Sequence, residues 1–281
     1  MNNLASFGYP WVVFMLHTTQ MAISAEHVQS MVVISEPSKI PNASDHIRGV
    51  VNLRGTIVPL LDLRVRLGMP SFLTEVEEFC TLMDQREQDH RRWLQELEAS
   101  VREQREFTLA TDPHLCAFGK WYDSYKPASY TLASLLKQFE APHRVIHGIA
   151  EQVFAAVKKG DPNRAYKLIE LCRDKELAQM IALFGQTKEY YRTQNHEVSL
   201  VLEHQGKLVA LAVDSIEAVE HFEEGSMAEA PSALAAADEE NRFVTMTGRR
   251  KQNGSTVLIL DTEQIVGNHG LVRLREEEFQ S

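Results

Sequence analysis

The chain of 281 residues has only three cysteines, Cys80, Cys116 and Cys172. They are widely spaced, odd in number and form no Cys-x-x-Cys pair, which argues against a disulfide framework and leaves any functional cysteine as a thiolate or a ligand. Positive charge is also scarce. Lys plus Arg number 29 against 39 Asp plus Glu, a formal net charge of −10, and no window supplies a basic stripe free of interleaved acids. Nucleic acid and anionic lipid are therefore poor candidates as partners. Long apolar runs are missing: Trp11 to Leu16 is far too short to cross a bilayer. The first basic residue is Lys39, so the positive opening of a secretory signal is absent and a cytoplasmic location is expected. Catalytic strings are missing too, with no Gly-x-x-x-x-Gly-Lys, His-Glu-x-x-His or Gly-x-Ser-x-Gly. What remains is ordinary in bulk, 44% hydrophobic and 24% charged, and long enough for two cores.

Texture changes twice along the chain. Residues 9 to 68 read as strands and turns, with Trp11 to Leu16 and Thr56 to Leu63 as β-rich runs; Pro59 inside the second suggests an edge strand or a bulge. From Leu73 to about Arg192 the pattern is helical. Leu82, Met83, Trp93, Leu94, Leu97 and Val101 make one apolar stripe, and His90 falls on it. Proline at a first helical position marks later helix starts at Asp112-Pro113, Ala141-Pro142 and Asp161-Pro162. The spacing predicts helices near 75–107, 113–125, 142–159 and 162–191, a shorter piece near 129–140, and so a bundle of about four main helices. β texture returns at Glu197. Val198 to Leu202, a Gln205-Gly206 turn and Leu208 to Val213 predict a hairpin; Arg242 to Thr247 and Thr256 to Leu260 predict a second pair joined through Asn253-Gly254. Between the pairs, 223–240 is alanine-rich with six acids and no base, and reads as a solvated loop. The fold class expected is α+β multidomain: one β module, 1–72 and 193–281, interrupted by a helical domain, 73–192. An antiparallel bundle with an even number of main helices returns its ends to one side and suits insertion into a surface loop.

His143 and His147, four apart on a predicted helix, share a face. Such pairs are common and carry little alone. His90 adds weight because a ring on an apolar stripe needs a buried partner, and Cys116, expected one turn into the second helix, supplies a thiolate. Three imidazoles and one thiolate form a closed tetrahedral set suited to zinc. Gly119 nearby is unfavourable in a helix interior and suggests close approach of another helix. Cys80 and Cys172 read as small buried hydrophobes, and His17, His114 and His196 as surface or packing residues.

The segments His90-Arg91-Arg92-Trp93, Cys116-Ala117-Phe118-Gly119-Lys120-Trp121-Tyr122 and His143 through His147 resemble the chemoreceptor zinc-binding (CZB) domain, whose pattern is His-x-x-Trp, Cys-x-Phe-Gly-Lys-Trp-Tyr and His-x-x-x-His. The resemblance covers about a hundred residues and implies His90, Cys116, His143 and His147 as zinc ligands. As a thiolate ligand whose oxidation would release the metal, Cys116 is also a redox-sensitive candidate.

In the β module, Asn52-Leu53-Arg54-Gly55 followed by Pro59-Leu60-Leu61-Asp62-Leu63-Arg64 resembles CheW-like chemotaxis coupling domains. On physical grounds Arg54 is either ion-paired with Asp62 or an interface anchor. The resemblance extends from about Tyr9 to Gly68 and from about His196 to Ile265. It implies a double five-stranded barrel-like fold and a non-catalytic role joining a chemoreceptor's cytoplasmic tip to the histidine kinase CheA. It also implies Arg54 as an interface residue and Val28 as an apolar position on the receptor-facing surface. The leading expectation is thus a chemosensory adaptor with a built-in zinc or redox sensor. The alternatives are an adaptor whose zinc is purely structural and, behind it, a zinc enzyme, disfavoured because four protein ligands leave no open position for water.

Overall fold

The computed structural model describes residues 8–266 apart from 34, 35, 128, 195, 205, 224 and 232–242. The chain divides into two compact units, one made of Met1–Thr74 with His196–Ser281 and the other of Glu75–Asn195.

The first unit holds two sheets. β1 (Trp11–Leu16), β2 (Thr19–Ser24), β8 (Ser215–Glu220), β9 (Met227–Glu229), β10 (Val244–Arg249) and β11 (Thr256–Leu260) form one, in the order β8-β1-β2-β11-β10-β9. β3 (Val28–Val32), β4 (Ile47–Leu53), β5 (Thr56–Asp62), β6 (Val198–His204) and β7 (Lys207–Val213) form the other, in the order β3-β6-β7-β5-β4. The first sheet gains its sixth strand from β9, three residues of the acidic stretch that pair with Met246 to Gly248; residues 224 and 232–240 of that stretch lie outside the described residues. Alternation along β1 explains how this strand is buried on both faces. Val12, Phe14 and Leu16 join Leu61, Leu200, Leu202 and Leu211 in a core contributed by both sheets, while Trp11 and Val13 meet Ala22, Val257 and Ile259 in a core of the first sheet alone.

Both expected hairpins form, with Gly206 and Gly254 at positive φ in their turns. Pro59 sits in a strand that is central by order, yet β7 pairs only with Leu60, Leu61 and Asp62. At Pro59 the strand is locally an edge, so its missing N–H leaves no ladder bond broken. Each sheet joins strands from before and after the helical unit: β5 pairs with β7, β3 with β6, β1 with β8 and β2 with β11. A short helix α1 (Leu63–Arg66), capped by Asp62 through the Val65 N–H, follows β5, and α8 (Thr262–Val266) follows β11.

The helical unit contains α2 (Phe72–Glu103), α3 (Ala117–Ser124), α4 (Tyr130–Lys137), α5 (Glu140–Lys158), α6 (Pro162–Cys172) and α7 (Ala178–Gln194). α6 passes into α7 through a single π-helical stretch, Arg173–Leu177, so the helix expected over 162–191 is one long rod with a local widening. Asp161 caps α6, accepting from the Arg164 N–H at 3.0 Å, with Pro162 in its first turn. The apolar stripe of α2 is buried: Met83, Trp93, Leu94, Leu97 and Val101 pack with Phe118, Phe139, Ile146, Val153 and Phe184. Cys80 and Cys172 are buried in the expected manner, and His17, His114 and His196 are exposed.

Candidate metal centre

α2 supplies His90 from its buried face and α5 supplies His143 and His147 one turn apart. Cys116 is not inside a helix. A 3-10 turn, Pro113–Leu115, precedes it, and Cys116 is the extended N-cap of α3, its Sγ accepting from the Gly119 N–H at 3.2 Å. The sequence places a helix start at Pro113, but the Asp112-capped turn is a separate piece that lets the chain swing Sγ inward. Gly119 has a correspondingly local reason. A Cβ there would overlap the Pro113 carbonyl oxygen and come within 2.9 Å of the His114 Cα. The close neighbour is this preceding turn, not another helix.

One ligand atom from each of His90, Cys116, His143 and His147 lies within 4.8 Å of all the others. The Cys116 Sγ to His143 Nε2 distance is 3.2 Å, close to the roughly 3.3–3.5 Å that tetrahedral bonds to zinc would set between donors. Backbone carbonyls fix two of the rings: His90 Nδ1 donates to Arg86 O at 2.6 Å and His147 Nδ1 donates to Ala110 O at 3.0 Å. Each ring then has only Nε2 left, and both Nε2 atoms are buried without a hydrogen-bond partner. Leaving such a nitrogen unpaired costs about 1–3 kcal/mol. Two of them beside a thiol and a third imidazole make a donor set shaped for a soft-to-borderline cation, and these residues fit zinc.

The electrostatics point the same way. Burial, with the neighbouring His90 and His147 rings adding to it, pushes His143 down to about 3; burial pushes His147 down to about 4 and lowers His90 as well. The three imidazoles are thus held neutral, the form a metal requires. Burial pushes the Cys116 thiol up, opposed by backbone N–H groups at the α3 N-terminus, so the thiol gives up its proton only when a cation replaces it.

Aromatic rings explain the rest of the Cys116 to Tyr122 string. Phe118 stands edge-on to His143 at 5.0 Å and to His90 at 5.8 Å, walling the donors on one side. Trp121 stacks on Tyr125 at 4.7 Å, and the Tyr122 hydroxyl donates to Glu140 at 2.9 Å, tying α3 to the start of α5. A cleft of about 220 Å³ lined by His114, Phe118, Tyr122, Asp123, Glu140 and His143 opens beside the donors. Sequence reasoning missed the Arg86 and Ala110 carbonyls, which carry no side-chain signal.

In the β unit, Arg54 is exposed at φ 53° and Gly55 follows at φ 92°, forming the two-residue turn between β4 and β5; Asn52 Oδ1 accepts from the Gly55 N–H at 2.7 Å. The alternative that pairs Arg54 with Asp62 fails. Asp62 is buried against Arg48, at 2.6 Å from its Nη2, and accepts from the Ser71 hydroxyl at 2.8 Å; Arg48 also reaches Glu197. That network, across residues far apart in sequence, was not anticipated. Val28 begins the edge strand β3, half-buried against the shared core, with Gln29, Ser30 and Met31 exposed after it.

Two sheets completed around a helical insertion with a three-His, one-Cys donor set define a β scaffold that carries a metal-binding bundle. The sequence matches the family described as CheW-like domain over residues 10–89 and 176–269, and the one described as Chemoreceptor zinc-binding domain over 90–154. The chain belongs to the CheW-like family, interrupted by a zinc-binding domain of the CZB type. It is 38% identical over 65 residues to the Chemotaxis protein CheW of Bacillus subtilis (strain 168), covering 23% of this chain and 42% of that protein. A Chemotaxis protein CheW of Klebsiella aerogenes is 39% identical over 61 residues, 22% of this chain and 37% of its own length. The chain thus spans about two fifths of these relatives. The scaffolding protein TtCheW from Thermoanaerobacter tengcongensis aligns over 93% of this chain and 94% of its own, with TM-score 0.43 and 14% identity. No helix among the described residues is long and apolar enough to cross a membrane.

Proposed function

We propose that this protein is a cytoplasmic, non-catalytic chemosensory adaptor that couples chemoreceptors to the histidine kinase CheA, and that zinc held by His90, Cys116, His143 and His147 makes its helical unit a sensor. The observation that carries the metal assignment is the pair of buried, unpartnered Nε2 atoms converging with a thiol and a third imidazole. Bound zinc would supply a fixed positive charge and a four-way tie among α2, α5 and the start of α3. The residues do the rest: the carbonyls of Arg86 and Ala110 orient two rings, Phe118 shields the donors, and Cys116 holds or releases a proton at Sγ. Cys116 is the least buried of the four. A two-electron oxidant that converts its thiolate to sulfenic acid would remove one donor, which is one route from signal to metal loss. Docking is assigned to Arg54, presented by its exposed turn, and to the β3 edge around Val28. A sensor also requires that the loaded and empty forms bind partners differently.

The near-complete burial of the three histidines, at 2%, 6% and 1% exposure, favours a second reading in which zinc is a permanent staple. Chelator competition on wild type and Cys116→Ala, with CheA pull-down on loaded and stripped protein, separates the two. One tight zinc, weakened beyond the ~10–100-fold that loss of an outer hydrogen-bond partner costs, and a changed pull-down support the sensor. Unchanged pull-down leaves the staple, and absence of zinc overturns the ligand set.

A further inference from the structure

The Ala110 carbonyl lies in the loop between α2 and the turn that delivers Cys116. Two side chains from different helices donate to it: Trp93 Nε1 on α2 at 2.8 Å and His147 Nδ1 on α5 at 3.0 Å. A carbonyl oxygen has two lone pairs and can serve both, and the two rings lie 4.9 Å apart. The bond to His147 sets its tautomer. With the proton on Nδ1, the lone pair is on Nε2, the buried atom left without a partner among the donors.

His90 and His147 are held in different ways. The acceptor for His90 is Arg86 O, four residues earlier on the same helix, so α2 fixes that ring by itself. The acceptor for His147 belongs to an irregular segment after α2, which leaves the helix at Gln104 with φ 51°, where the Arg105 N–H bonds back to Ser100 O, and runs on without helix through Ala110. Trp93 grips that segment twice. Its N–H binds Ala110 O, and its ring meets Phe107 edge-on at 5.1 Å, with Phe107 also against Phe154 at 6.1 Å.

We infer that Trp93 is a positioning residue of the metal site, acting through the Ala110 carbonyl to hold His147 with Nε2 presented to the metal. The inference rests on the reading of His147 as a ligand. It assigns the tryptophan a duty that filling the core does not require, since a phenyl ring fills much of the same space without the N–H.

Trp93→Phe tests it. Zinc affinity by chelator competition should fall about 10-fold, the lower end of what losing an outer-shell partner costs. In the zinc-free variant, long-range proton–nitrogen correlation spectra should show His147 carrying part of its proton on Nε2, where the wild type carries it on Nδ1. Cobalt loading should give a shifted visible absorption band. Leu97→Ala, a fully buried position of the same core, is the control: it should lower the melting temperature of the zinc-free protein and leave affinity within twofold and the tautomer unchanged. Affinity within twofold of wild type in Trp93→Phe, or an equal loss in Leu97→Ala, overturns the inference. So does an Nε2–H tautomer at His147 in the zinc-free wild type, a measurement that does not depend on any variant folding. His147→Ala distinguishes the two levels. If it binds zinc as tightly as wild type, the ligand assignment falls and the inference with it; if it binds poorly while Trp93→Phe is unaffected, only the inference falls.

Discussion

The number of protons released when zinc binds should be close to one, and it reports directly on how the site is built. At pH 6 the His143 and His147 rings, held at about 3 and about 4, are already neutral and have nothing to give up. The thiol, raised by burial, is fully protonated and loses one proton. Burial lowers His90 too, so any excess over one comes from that ring alone. Four unorganised ligands behave differently. With ordinary pKa values near 6.5 and 8.5, each histidine at pH 6 carries about 0.76 of a proton and the thiol about one, so roughly 3.3 protons leave. Apparent affinity in the folded protein should therefore fall about tenfold, about 1.4 kcal/mol, per unit of falling pH from the thiol's range downward. Calorimetry at pH 6 in buffers of different ionisation enthalpy gives the count. Release of three protons would refute the claim that burial holds the histidines neutral, and release of none would remove Cys116 as a thiolate ligand.

In zinc-free protein, histidines buried in the neutral form bind protons more weakly than in the unfolded chain, so stability is full above about pH 6.5 and falls as pH drops toward 4. At pH 5 the deficit is about 2 kcal/mol for each of His143 and His147, read as an earlier urea midpoint for the helical unit that zinc restores. Gly119→Ala should destabilise the helical unit by about 1–3 kcal/mol, because the Pro113 to Leu115 turn must move to admit the methyl group; a melting curve equal to wild type would contradict the close approach. Arg54→Gly should gain stability, up to about 1–2 kcal/mol less the flexibility that glycine adds to the unfolded chain, by relieving a left-handed φ, while weakening CheA or receptor capture. A variant that keeps full capture would take Arg54 off the docking surface.

The zinc-binding motif could be read from the sequence because it combines two periodicities, the one-turn spacing of His143 and His147 and the position of His90 on the buried stripe of α2. Helix starts marked by an Asp cap before proline were legible for α6 and only half so at Pro113, where the same signal opens a 3-10 turn. β8 escaped notice. Its sequence, Ser215-Ile216-Glu217-Ala218-Val219-Glu220, has two acids on a sheet edge, and its face toward solvent hides the alternation. The Arg48, Asp62 and Glu197 network could not be seen from the chain, because partners 14 and 149 residues apart meet only once β4, β5 and β6 are gathered into the second sheet. The Ala110 carbonyl was invisible for another reason: a backbone atom has no residue type to betray it.

Because every strand pairing between β1, β2, β3 or β5 and a strand beyond residue 196 spans the helical unit, the sheets close a loop whose interior is residues 75–195. If those 121 residues were a flexible coil, closure would cost about 4 kcal/mol in chain entropy, from (3/2)RT ln n. A folded bundle replaces that wandering coil with a connector of fixed span. Whatever loosens the bundle, loss of its metal included, transfers an entropic load to the strands on either side. The two halves of this protein are therefore linked through chain connectivity, and that link requires no contact between their surfaces.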